Sequence, residues 1–141
     1  MTTPFPPSAC PLAGPADDPA RKPGDAVLDA TALANLVQLD PAGANRLLPR
    51  VLTVYRSSMA RLLAQLDLAR AQSDLGTQRL VAHTLKSSSA SVGALLLSEL
   101  CGDAEKALRE GRRGDVPALL DQLMAESARV DAAVLHLLAD A

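Results

Sequence analysis

The segment AHTLKSSSASVGA, Ala82–Ala94, holds His83, one of only two histidines in the 141-residue chain. Lys86 follows three residues later and Arg79 precedes by four, so on a helix both cations lie beside the imidazole. Cations disfavour imidazolium and so favour the neutral, nucleophilic ring. They would also offset a phosphoryl group, which carries between one and two negative charges at neutral pH. With about 100° per residue, His83 shares its side of the helix with Gly76, Arg79, Lys86, Ser87 and Ala90. Val81, Leu85, Ser88 and Val92 fall on the far side and form the expected core face. An outward histidine, flanked by cations and cleared of bulky neighbours, suits a group that takes a phosphoryl from one protein and hands it to another. The bland alternative is an ordinary exposed histidine.

Helices must present this group. Aromatics are 1% of the chain, only Phe5 and Tyr55, while hydrophobic residues reach 48%, mostly Leu, Ala and Val. That composition suits helix-on-helix packing rather than strands. Seven of the ten prolines lie in residues 1–25, and this segment reads as a disordered Pro-rich tail. Residues 26–141 read as one helical domain. Asp29 caps a short helix that stops at Asp40-Pro41. A second helix spans about Asn45–Ala71, with Leu48, Leu52, Tyr55, Met59, Leu62 and Leu66 in register and Pro49 in its first turn or at a kink. A third covers Leu75 to about Ala90, with Gly93 as a left-handed stop. A fourth, Ala94–Glu110, carries Leu97, Cys101, Ala104 and Leu108. A fifth begins after Asp115 with Pro117 in its first turn and carries Val116, Leu120, Leu123, Ser127, Val130, Val134 and Leu137. Short connections make the long helices antiparallel neighbours. The expected fold is all-α: an up-down-up-down four-helix bundle with a short extra N-terminal helix.

The same residues resemble a known family. AHTLKSSSASVGA is similar to the signature of histidine-containing phosphotransfer (HPt) domains, roughly His-x-Leu-Lys-Gly-Ser-Ser or -Ala, then Ala, then Gly-Ala. Downstream, LSELCGDAEKALREG resembles the family's Leu-Cys-x-x-x-Glu helix at Leu100, Cys101 and Glu105. The resemblance extends over about residues 28–138. It implies a four-helix bundle whose exposed histidine, here His83, accepts a phosphoryl group from a receiver-domain phospho-aspartate and passes it to another receiver aspartate. Lys86 matches the lysine that steadies the phosphoryl group, and Arg79 is a candidate for charge support. Ser87 stands where the family usually has Gly. Gly76, Leu80, Ser87 and Ala90 are expected to provide access and docking. The implied partners are receiver domains of a hybrid sensor kinase and of a response regulator. No cofactor is expected on this chain, since Mg²⁺ belongs to the receiver.

Other classes fit less well. The net charge is −2, so no basic field or aromatic platform invites nucleic acid. No run of about 18 apolar residues suggests a membrane span, and no apolar leader follows Met1. A cytoplasmic monomer is the expectation. No GxxxxGK[ST] loop offers an ATP site, which argues for a phosphocarrier without autokinase activity. Two cysteines, Cys10 and Cys101, form no disulfide framework or zinc spacing, and His83 with His136 lacks the further ligands a metal needs. His136 is expected at the surface and Cys101 in the core. The basic cluster Arg109–Asp115 reads as a solvated helix end, with receiver contact as a secondary reading. The alternatives are a non-phosphorylated helical module that binds a receiver or another regulator, and a chemotaxis-type kinase fragment. The opening Met1 and Pro-rich tail favour a freestanding protein over the latter.

Overall fold

The computed structural model describes residues 27–140; the Pro-rich segment and Cys10 lie outside the described residues. The first element, α1 (Ala30–Gln38), starts where Asp29 accepts a hydrogen bond from the Ala32 amide at 2.9 Å through its side chain. This satisfies one of the amides left unpaired at a helix start. The helix ends before Asp40, whose carboxylate accepts from the amides of Asn45 and Leu47 and so organises the turn into α2 (Leu47–Ala71). Pro49 occupies the first turn of α2. There its missing N–H removes no helical bond.

Asp74 caps α3 (Leu75–Ser91) by accepting from both the amide and the hydroxyl of Thr77. Gly93 follows with φ +84°, the left-handed conformation expected of a glycine stop. A Cβ there would lie 3.0 Å from the backbone of Asp29 and from Ala32. The Gly93 carbonyl also accepts from the Asp29 amide at 2.7 Å, which lashes the start of α1 to the α3–α4 turn. Helix α4 (Leu95–Glu110) ends at left-handed Gly111, and α5 (Val116–Asp140) returns along the bundle.

The four long helices close into a ring in chain order, with α1 against α2. This is the up-down-up-down bundle with its extra N-terminal helix. The α3–α4 pair packs most extensively and the α2–α5 side is the thinnest. The core holds Leu52, Met59 and Leu66 from α2, Val81 and Leu85 from α3, Leu97 and Cys101 from α4, and Leu120, Leu123, Val130 and Val134 from α5. Truncating a buried leucine such as Leu85 to Ala in such a core typically costs about 2–5 kcal/mol.

The expected stripes hold closely on α2, α4 and α5, with Leu48, Leu108 and Leu137 only half-buried at the margins. On α3 the core face is rotated from the expected one. Val81, Leu85 and Val92 are buried, but Ser88 is half-buried and Ser89 is fully buried instead, together with Ala82 and Gln78. The reason is chemical. The Ser89 hydroxyl meets the phenol of Tyr55 at 2.8 Å, whereas Ser88 bonds back to the carbonyls of Thr84 and Leu85 on its own helix. Burial pushes the Tyr55 phenol up to about 12.

Candidate functional site

Helix α3 carries His83 on its outer face, with 60% of the side chain exposed. Gly76, Arg79, Leu80, Ser87 and Ala90 are exposed around it, and Lys86 is half-buried. The outward orientation and clear approach expected from the helical wheel are therefore realised in the geometry. Leu80 is 62% exposed, an apolar side chain in water one turn before the imidazole.

Sequence reasoning missed the residue that organises the group. Glu105 projects from α4 across the α3–α4 interface, and its side chain is only 9% exposed. One oxygen lies 2.8 Å from His83 Nδ1 and the other accepts from Lys86 Nζ at 2.9 Å. The Lys86 hydrogen bond, with smaller help from His83, holds this carboxyl below its usual range despite the opposing effect of burial. An ionised carboxylate only accepts hydrogen bonds. Nδ1 must therefore carry the proton, and in the neutral ring the lone pair sits on Nε2, facing solvent. A carboxylate at one ring nitrogen thus fixes both the tautomer and the orientation of the nucleophile.

The surrounding packing keeps Lys86 in reach of Glu105. Gly102 on α4 lies under the lysine stem, and a Cβ there would stand 3.4 Å from Lys86 Cδ. The Ser98 hydroxyl, also on α4, donates to the Lys86 carbonyl at 2.9 Å. Cys101 and Ala104 on α4 are small and fully buried. Cys101 is the buried apolar group expected of it, and burial pushes its thiol up to about 12.

Arg79 is not joined to this group: it is exposed one turn away, with no ion pair or side-chain hydrogen bond among the described residues. The cations over the ring anticipated from the sequence thus resolve into one lysine, tied to a carboxylate that also holds the ring. The signal for Glu105 was present in Leu100-Cys101-x-x-x-Glu105. Only the packing of two helices shows that this glutamate reaches His83. His136 is exposed on α5, as expected. Arg112 pairs with Glu110 and Asp115 at the α4–α5 turn. No cluster of three or more His, Cys, Asp or Glu side chains suited to a metal ion occurs among the described residues. No helix among them is long and apolar enough to cross a membrane.

Residues 50–137 match the family model for the Hpt domain. The crystal structure of histidine-containing phosphotransfer protein B (HptB) from Pseudomonas aeruginosa PAO1 superposes with a TM-score of 0.72. It is 27% identical, and the match covers 81% of this chain and 96% of that one. No curated protein sequence matches the chain.

Proposed function

Because the chain belongs to the Hpt-domain family, and so is a phosphotransfer intermediate of phosphorelays that works with receiver domains, we propose that His83 is the residue that carries the phosphoryl group, on Nε2. The observation that supports this is the single contact pairing Nδ1 with Glu105, which leaves an exposed lone pair on the other nitrogen.

The step balances simply. The Nε2 lone pair attacks phosphorus in line, and the N–P bond forms. The P–O bond to the receiver aspartate breaks, and the aspartate departs as a carboxylate. Nδ1 keeps its proton, so positive charge develops on the ring and faces the Glu105 carboxylate. Lys86 supplies positive charge beside the incoming phosphoryl oxygens. Transfer onward reverses these events on a second receiver. The exposed Leu80, with Gly76 and Ala90 leaving room, forms the docking face. Arg79 lies outside the hydrogen-bonded group and contributes long-range charge alone.

The donor is the receiver of a hybrid sensor kinase and the acceptor that of a response regulator. Mg²⁺ acts on the receiver side, and this chain binds no cofactor. It is a phosphocarrier without autokinase activity, works as a monomer and resides in the cytoplasm. Incubation with phosphorylated receivers and mapping of acid-labile, base-stable label tests the reading. Label on His83 in the wild type, and none in a His83→Gln variant with an unchanged helical CD spectrum, is the expected result. A labelled His83→Gln protein would refute the assignment.

A further inference from the structure

The serine run after Lys86 is not uniform. Ser88 is bonded to the carbonyls of Thr84 and Leu85, Ser89 to Tyr55, and Ser91 to the carbonyl of Ser87. The Ser87 hydroxyl itself has no partner among the described residues, and the residue is exposed. It stands four residues after His83, on the next turn of the same face.

Its side of the imidazole matters. With about 100° per residue, Lys86 lies about 60° to one side of His83 and Ser87 about 40° to the other. The Lys86 side is the α4 side, because Lys86 and His83 Nδ1 both meet Glu105 there. Nδ1 and Nε2 flank Cε1, and their bonding directions in the ring plane diverge widely. Pinning Nδ1 towards α4 therefore turns the Nε2 edge towards the side that carries Ser87. Helical side chains lean towards the N-terminus, so the short Ser87 side chain leans along the helix in the direction of His83, whose longer ring leans the same way, and a phosphoryl group on Nε2 would extend into the open space between them. An exposed hydroxyl can rotate its proton to suit an acceptor.

We propose that Ser87 is a phosphoryl-binding residue: its hydroxyl donates a hydrogen bond to an oxygen of the phosphoryl group on His83 Nε2 and lengthens the life of the phosphohistidine. Lys86 then acts from one flank of the phosphoryl group and Ser87 from the other. The inference rests on His83 being the phosphorylated residue.

The test uses the full chain, loaded by a phosphorylated receiver and then separated from it. The spontaneous loss of phosphate and the ³¹P resonance of the phosphohistidine are followed for wild type, Ser87→Ala, Ser87→Gly and Ser87→Thr. Loss of one hydrogen bond should shorten the half-life about three- to tenfold in both the Ala and Gly variants. It should also shift their ³¹P resonance, while Thr, which keeps the hydroxyl, should behave as wild type. A half-life in Ser87→Ala equal to wild type would overturn the proposal. So would an effect confined to Ser87→Gly, since that would reflect backbone freedom rather than a hydroxyl. Failure of the underlying reading shows earlier and separately, as wild-type protein that takes no label on His83.

Discussion

His83 and Glu105 sit on different helices, 22 positions apart, yet their side chains meet at 2.8 Å across the α3–α4 interface. The imidazole is exposed and the carboxylate is almost wholly covered. The fold thus places the imidazole in water and the carboxylate that orients it in the packed seam.

Replacing Glu105 should therefore impair transfer without exposing or hiding His83. Glu105→Gln keeps an acceptor but loses the charge that serves both Lys86 and the developing imidazolium. Charge-assisted hydrogen bonds contribute about 1.5–3 kcal/mol, so single-turnover transfer should slow about tenfold or more. Nitrogen NMR of His83 should show the Nδ1–H form giving way to a tautomer mixture. An unchanged tautomer and rate would remove Glu105 from the mechanism.

The same carboxylate gives a signed pH dependence. Its folded-state pKa is depressed, chiefly by Lys86. Its contribution to stability is thus full above the ordinary glutamate value of about 4.3 and is lost as the pH falls through the lower folded value. The thermal midpoint of the wild type should exceed that of Glu105→Gln at neutral pH. The gap should close on acidification below about pH 4. A gap independent of pH would mean that shape, not charge, explains the difference.

Tyr55 is the sole tyrosine, and there is no tryptophan. Its phenolate absorbance should appear only near pH 12, where burial has pushed its ionisation. Because the folded value is raised, this group's stabilisation is intact below about pH 10 and is lost as the pH climbs through the folded value. Ser89→Ala strands the buried phenol and should cost about 1–3 kcal/mol in denaturant titrations, with transfer to His83 unaffected. A matching loss of transfer would mean that this buried pair also sets the site.

Gly93→Ala tests the lash between α1 and the α3–α4 turn. The substituted residue would need a strained positive φ and would press on Asp29 and Ala32 at 3.0 Å. A loss of about 1–3 kcal/mol, with faster hydrogen exchange of the α1 amides, is expected. Normal exchange in α1 would show that the turn yields without disturbing the first helix.

Much of this was legible in the sequence because helical periodicity is a one-dimensional signal. Leu52, Tyr55, Met59, Leu62 and Leu66 announce α2, and Asp29 and Gly93 mark helix ends through local backbone chemistry. The exposed face of His83 followed from the same arithmetic. What the sequence hid depends on pairs of helices. Ser88 and Ser89 are adjacent and identical in type, and only the position of the Tyr55 phenol decides which one is buried. Glu105 looks like any helical carboxylate until α4 is set against α3. Arg79 and Lys86 look equivalent beside His83, yet only Lys86 has a carboxylate within reach.

The tied Nδ1 has a consequence for the product itself. An imidazole free to flip would yield two positional isomers of phosphohistidine, each with its own lifetime and its own presentation to an acceptor. A ring whose one nitrogen is occupied yields a single regioisomer. On the proposed mechanism every incoming phosphoryl group would be stored in one chemical form, and the receivers on either side would need to recognise only that form.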